Sequence, residues 1–313
     1  MDTWINDELA QFKKATFLLI LRRISQFGIG TILFQSYLGV FETKQVYAGP
    51  LKQGCVPGLT CHACPTSYAG CPIGLIQHFA AIHRFPFLLI GVLGLIGLIA
   101  GRFVCGWLCP WGLLQDVMFV FKRIRVKIPL WLDYFKYATL VGLVFIIPYY
   151  THQHWFSKLC PVGGLIAGIP WTVWNPDDPV FEAAVVDPAS IGTMFFIKMT
   201  ILGFFLVIFL FIKRPFCRTV CPLGATYGLF NKVSLVSLKV RTSCPECGQC
   251  SDLCPMDLCV NEDFNSDNCI RCLDCLQCKH VDFYWNLPWK SREKPEGKQV
   301  VTAFPVECKS ECK

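Results

Sequence analysis

Residues 86–101 read PFLLIGVLGLIGLIAG, sixteen positions without a charge. Three further apolar runs lie near 22–42, 132–150 and 191–212, with charges such as Arg22, Arg23, Lys136 and Lys198 only toward their ends. With 84–103 they make four stretches of the length a helix needs to cross a bilayer, about 20 residues. Only 16% of the 313 residues are charged, whereas a soluble domain carries about a quarter. No amphipathic helix or alternating strand is long enough to surround four such runs as a soluble core. A hydrophobic share of 53% also excludes a disordered chain. The expected fold is an all-α membrane domain over 1–238, with four transmembrane helices and short interfacial helices. A ferredoxin-like module over 239–285 and a tail over 286–313 would follow.

The net charge of +7 matters less than where the cations sit. Alternate sides of the four runs hold twenty-three Lys and Arg against four, and nine against four when the segment from Lys213 onward is left out. The positive-inside rule then puts both termini in the cytoplasm of a prokaryotic cell, with the protein multi-pass in the cytoplasmic membrane. The first run is long, follows a charged stretch and precedes no small-x-small site, so it reads as an uncleaved anchor. Nucleic acid binding has no support beyond charge, and membrane lipid is the expected surroundings.

Twenty cysteines carry the chemistry. Cys244-x2-Cys247-x2-Cys250-x3-Cys254-Pro255 is the spacing of bacterial ferredoxins, in which three thiolates hold one [4Fe-4S] cube and the fourth holds a second. Cys269-x2-Cys272-x2-Cys275-x2-Cys278 repeats it, one residue short at the end. One cube would take Cys244, Cys247, Cys250 and Cys278, the other Cys269, Cys272, Cys275 and Cys254. Disulfides suit a reducing cytoplasm poorly, and zinc pairs of Cys-x2-Cys are usually separated by longer stretches.

Four times the chain also reads Cys-Pro-x-Gly, at Cys71, Cys109, Cys160 and Cys221. Proline suits the first turn of a helix, which leaves each cysteine at a helix N-terminus, where free N–H groups and the dipole favour an anion. Cys105-x3-Cys109 and Cys217-x3-Cys221 follow the second and fourth runs on the cytoplasmic face, so the two pairs are expected to form one four-thiolate site. On the outer face, Cys61, Cys64, Cys71 and Cys160 make either a second such site or disulfides, since that face is oxidising. Cys55, Cys259, Cys308 and Cys312 stay unassigned.

RFVCGWLCPWGLLQD, FCRTVCPLGATYGLFNKVS and the ferredoxin run after them resemble the NapH type of polytopic iron–sulfur membrane protein. The NosR type shares this core, as does, more distantly, the CcoG type linked to cytochrome oxidase assembly. The resemblance extends from LRRISQF to the second ferredoxin run, and CHACPTSYAGCPIGLIQ resembles an extra outer element of some related iron–sulfur proteins. It implies an electron-transfer subunit, quinol dehydrogenase-like rather than a stand-alone enzyme, between the quinone pool and other redox subunits, a cytochrome or a soluble dehydrogenase or reductase. A CcoG-like metal-reducing assembly factor and a structural anchor for redox subunits are the alternatives. The cofactors expected are two [4Fe-4S] clusters in the C-terminal module, one more at the inner face and one at the outer face if no disulfides form there.

No histidine lies at mid-span and no Cys-x2-Cys-His occurs, which excludes intrinsic haem b and covalent haem c. His78, His83 and His152 near the outer span ends read as anchors or as a quinone pocket, and Gln115 with Asp116 as a competing inner pocket, Asp116 reading as a solvated face residue. There is no P-loop or dinucleotide fingerprint.

Overall fold

A computed structural model of the chain describes residues 16–43, 46–47, 49–121, 126, 128–174, 193–240, 249–260, 265–278 and 280–285. The protein is mostly helical. The first apolar run is helical over 16–33 (α1), widening to a π-helix at Gly28–Leu33. An irregular segment leads to α2 (Pro72–Ala81), then α3 (Phe87–Ala100), the short α4 (Phe103–Trp107) and α5 (Pro110–Val120). Helix α6 (Trp131–Thr151) follows, then α7 (Trp155–Leu159) and α8 over 161–174. Helices α9 (Thr193–Phe209), α10 (Pro215–Thr219) and α11 (Pro222–Phe230) repeat the long-short-medium order of α3, α4 and α5. Strands β1 (Val236–Val240) and β2 (Val281–Trp285) pair antiparallel, Val236 opposite Trp285 and Val240 opposite Val281. Between them in the chain lie α12 (Gln249–Leu253) and the cysteine-rich segment.

Among the described residues, α6 alone is long and apolar enough to cross a bilayer. Helices α3 and α9 are apolar but have 14 and 17 residues, about 21 and 26 Å at the α-helical rise against a hydrocarbon core of about 30 Å. The chain swings through a left-handed residue, Gly101 (φ 56) after α3 and Arg214 (φ 46) after α9. It then starts the short helix that carries the first cysteine of a pair, Cys105 or Cys217.

The main buried core includes Leu59, Ile73, Trp111, Val144, Phe209, Phe216 and Tyr227 beside most of the cysteines, and a second, smaller cluster holds Cys61 and Cys64 with Ala167 and Trp171. The interior also encloses cations, which is unusual because a buried charge needs a partner. Arg22, Arg102, Arg214, Arg218 and Arg271 are each no more than 2% exposed, and Lys136 is fully buried. Several of them clamp the cysteine-rich segment onto the helices. Arg22 donates to Asp274 (2.8 Å) and to the Cys272 carbonyl (3.3 Å). Arg271 donates to the carbonyls of Ala100 (3.0 Å) and Asn231 (2.7 Å). Lys136 donates to Asn268 and pairs with Asp267 (3.3 Å), while Arg218 and Asn268 share Asp133.

Candidate iron–sulfur sites

The cysteines of all four Cys-Pro-x-Gly motifs sit at a helix N-cap with proline in the first turn: Cys71 before α2, Cys109 before α5, Cys160 before α8 and Cys221 before α11. At Cys221 the sulfur accepts from the Gly224 N–H at 3.3 Å, while at Cys71, Cys109 and Cys160 the motif glycine N–H lies near the sulfur and favours the thiolate without a side-chain cap hydrogen bond. A proline cannot donate, so the first free N–H groups of the turn follow it, close to the cysteine. This is the anion-favouring end of a helix, delivered by local sequence.

Cys105, Cys109, Cys217 and Cys221 converge, each buried and each within electrostatic reach of others in the set. Burial pushes all four thiols up from their ordinary ionisation range, so they become thiolates here only against a compensating positive charge. Two cations are built in by an exchange between the repeats. Arg102, of the first repeat, lies beside Cys105, favouring its thiolate, and donates to the carbonyl of Cys217 (2.8 Å). Arg214, of the second, donates to the carbonyl of Cys105 (3.3 Å). The motif glycines make the room. A Cβ on Gly224 would lie 2.6 Å from Arg102 Nη2, and one on Gly112 3.2 Å from Arg214 Nη1. Gln115 Nε2 donates to Cys217 Sγ at 3.1 Å.

Asp116 corrects the sequence reading of a solvated face residue. Its carboxylate is 9% exposed and receives Arg214 Nε and Nη2 (both 2.7 Å) and Arg23 Nη1 (2.6 Å), with Arg22 at 4.0 Å. The three guanidinium groups hold its carboxyl well below the usual range. Arg102 is different. It forms no carboxylate ion pair among the described residues, and its buried Nε has no partner. An anionic iron–sulfur centre on four thiolates fits that donor set and that uncompensated charge.

In the C-terminal segment, Cys254, Cys269, Cys272 and Cys275 line one pocket with Leu238, Ile270 and Leu273. Burial pushes the Cys254 thiol up to about 12, although the N–H groups of Met256 and Leu258 donate to it. These four are the cysteines the ferredoxin spacing assigned to one cube. Of the other expected set, Cys250 and Cys278 are buried, while Cys244 and Cys247 lie outside the described residues, as do Cys308 and Cys312. Cys259 is disulfide-bonded, and the fifteen other described cysteines form no disulfide. Among the described residues no three His, Cys, Asp or Glu groups converge closely enough for a single metal ion. A cubane, with one thiolate on each corner iron, takes its ligands further apart.

The two sites touch through backbone. Trp107 Nε1 donates to the Arg271 carbonyl (3.1 Å), and a Cβ on Gly106 would lie 2.6 Å from the Ile270 carbonyl oxygen and 3.6 Å from Cys272 Cα.

Cys61, Cys64, Cys71 and Cys160 also gather, buried and unpaired by disulfide. Cys160 and Cys64 act on the Cys61 thiol, pushed up to about 11 by burial, and Cys160 and Cys61 act on Cys71, pushed up to about 12. The histidines form two groups. His78 stacks on His154 at 5.8 Å, and His83 packs on Tyr149 (4.1 Å) and His152 (5.1 Å). Gln115 lies apart from both, on Cys217, consistent with its being a separate inner candidate.

Arg102, Arg214 and Lys198 escaped the sequence reading as parts of these sites. A signal existed for the first two: the repeated unit is Arg-x2-Cys-x3-Cys-Pro-x-Gly, at 102–112 and 214–224. Nothing marked Lys198, which reaches its site from the second turn of α9.

Comparison with known proteins agrees with the repeat. A 4Fe-4S binding domain matches residues 82–129 and again 194–242, each stretch holding one Cys-x3-Cys pair. The chain is 29% identical over 240 residues to an uncharacterized protein of Methanocaldococcus jannaschii, covering 72% of this chain and 90% of that one. It is 29% identical over 210 residues to the putative electron transport protein YccM of Escherichia coli, covering 63% and 54%. To the ferredoxin-type protein NapH of Haemophilus influenzae it is 28% identical over 254 residues, covering 76% and 74%. No solved structure matches. The repeated 4Fe-4S domain and the relatives named ferredoxin-type NapH and regulatory protein NosR together support the NapH/NosR-type family of iron–sulfur proteins.

Proposed function

We propose that the protein is a membrane-bound electron-transfer subunit. It would pass electrons between the quinone pool or a membrane partner and its own iron–sulfur centres, within a larger respiratory redox complex. The observation that carries this reading is the reciprocal placement of buried Arg102 and Arg214 across four buried thiols. Cys105, Cys109, Cys217 and Cys221 would hold one centre. Cys254, Cys269, Cys272 and Cys275 would hold a second, and Cys244, Cys247, Cys250 and Cys278 a third. Such a centre supplies one-electron chemistry, and the chain sets its potential through burial, hydrogen bonds to sulfur and nearby charge. Gln115, the glycine N–H groups and the two arginines each favour the reduced, more negative state. Helices α4 and α10 hold the first cysteine of each pair rigidly against the cysteine-rich segment.

A helical membrane domain over 1–238 and a ferredoxin-like domain over 239–285 suit this role. The membrane setting is supported by the asymmetry of Lys and Arg and by apolar side chains left exposed on α3 and α9, such as Leu88 (81%) and Phe196 (63%). Water would not tolerate so continuous an apolar surface. Both termini would be cytoplasmic. The YccM and NapH names, electron transport and ferredoxin-type, accord with electron transfer.

Anaerobically purified protein should contain well over eight iron atoms per chain, since the C-terminal module alone would hold about eight. Cys105→Ser or Cys221→Ser should lose iron and one signal in low-temperature EPR. Iron near eight, unchanged in both variants, would sink the reading of the paired-repeat site. Stoichiometric copper would favour metal delivery instead. A reporter fused after Lys313 should read cytoplasmic and one inserted near Asp177, outside the described residues, should read external.

A further inference from the structure

We propose that Cys61, Cys64, Cys71 and Cys160 hold a further iron–sulfur centre, and that the buried segment 56–61 couples it to the Cys105/Cys109/Cys217/Cys221 site. This rests on the reading of that second site as an iron–sulfur centre.

The sequence alone left the first four cysteines open between a cluster and disulfides, and on charge patterning put them across the bilayer from the other site. In the structure none of the four forms a disulfide. Backbone N–H groups lie near their sulfurs and favour the thiolates: Ala63 at Cys61, Ile73 and Gly74 at Cys71, Val162 and Gly163 at Cys160. A disulfide needs neither such donors nor a cation. This site has a cation all the same. Lys198 leaves α9, an otherwise apolar helix, and donates to the Ser157 carbonyl (3.2 Å) close to Cys61 and Cys160. A Cβ on Gly163 would lie 3.1 Å from its Nζ and 3.2 Å from Cys61 Sγ. The motif glycine thus admits a cation here as Gly112 and Gly224 admit arginines. An ammonium placed in an apolar helix is costly unless an anion faces it.

The loop that carries Cys61 does not stay on one face. Val56, Leu59 and Thr60 are all under 5% exposed. The N–H of Leu59 lies near the sulfur of Cys109 and favours its thiolate. The Pro57 carbonyl accepts from Tyr227 of α11 (3.2 Å), and Gly58 packs against the backbone of Leu108 and Cys109. Cys61 follows Leu59 by two residues, at most about 7 Å of extended chain. The two four-cysteine sites are therefore neighbours joined by one buried peptide segment rather than sites a bilayer apart. With the backbone contact between Gly106 and Cys272 they form a line of three. One electron moves at a time: one site is oxidised by one electron as the next is reduced by one, with no bond or proton transferred.

The test uses the full-length protein, purified anaerobically in detergent. Iron and low-temperature EPR are read for the wild type, Cys160→Ser and Cys221→Ser. We expect Cys160→Ser to lose one centre's iron and one EPR signal while the others stay. We also expect partly reduced wild type to show magnetic coupling between two signals that both variants abolish. Loss in Cys221→Ser with full iron in Cys160→Ser overturns this proposal and spares the parent reading. Full iron in Cys221→Ser overturns the parent reading. Lys198→Gln keeps every thiol and removes one positive charge, so it should make one centre harder to reduce and leave the rest in place. Unchanged reduction of every centre in that variant, or a Cys61–Cys160 or Cys64–Cys71 disulfide in peptides of unreduced protein, overturns the proposal whatever the cysteine variants do.

Discussion

The two four-cysteine sites of the helical region use the same motif and are built differently. At the paired-repeat site each repeat supplies two cysteines and one arginine, and each arginine crosses to the other repeat's backbone. At the loop site three cysteines come from 61–71 and the fourth from the turn before α8, and the cation is a lysine. Arginine is always charged and its planar fork binds several acceptors at once. That suits a fixed, fully buried position such as Arg102 or Arg214. Lysine is a flexible point charge, and at the loop site it sits beside His62, whose ionisation burial and neighbouring cations push down to about 4. Symmetry gives the first site a rigid charge frame. The second depends on one movable ammonium.

The largest effect should come from Asp116→Asn. The carboxylate holds Arg214 and Arg23 directly, and removing one member of a buried ion network costs about 3–5 kcal/mol. Thermal unfolding of the solubilised protein measures this, and a loss under about 1 kcal/mol would refute a rigid frame. The pH dependence has a definite sign. The Asp116 carboxyl is held well below its ordinary value in the folded protein, so its stabilisation is complete above about pH 4 and shrinks as pH falls further. The wild type should lose its advantage over Asp116→Asn in acid and never gain one there.

Gly224→Ala comes next. A methyl group 2.6 Å from Arg102 Nη2 must displace a buried guanidinium, an overpacking cost of about 1–3 kcal/mol. Gly112→Ala, at 3.2 Å from Arg214, should cost less. Gly163→Ala should cost least of the three, because the far end of Lys198 can shift. Equal losses at Gly163 and Gly224 would erase the contrast between movable and fixed cations.

The smallest effect should be that of Gln115→Ala, which removes the N–H···S contact to Cys217 and should destabilise by about 1 kcal/mol. Redox titration followed by EPR should show one centre becoming harder to reduce. A change spread over all signals would mean that Gln115 acts on packing instead.

Much of each candidate site was legible. The Cys-Pro-x-Gly spacing predicted a cysteine at a helix N-terminus, and Cys71, Cys109, Cys160 and Cys221 all cap helices. The ferredoxin spacing grouped Cys254, Cys269, Cys272 and Cys275, which line one cavity. The length of the apolar helices was less legible. Apolar residues continue past both helices, but α3 stops at left-handed Gly101 and α9 at Phe209, five residues before left-handed Arg214. Asp116 was misjudged because its partners Arg22, Arg23 and Arg214 are about a hundred residues away on either side.

The sequence by itself determined the helix caps, the cysteine spacing and the apolar character of the long helices. Each depends on residues within one or two turns of each other, where proline, free N–H groups and side-chain period act without help from the rest of the chain. Only the tertiary structure decided which charge meets which thiol. Arg102 reaches Cys217, Arg214 reaches Cys105, Lys198 reaches Cys61, and Leu59 reaches Cys109 from a loop fifty residues away. No local preference distinguishes these partners. They are selected because a cation excluded from water must find negative charge, and packing α3–α5 against α9–α11 brings that charge within reach of the arginines.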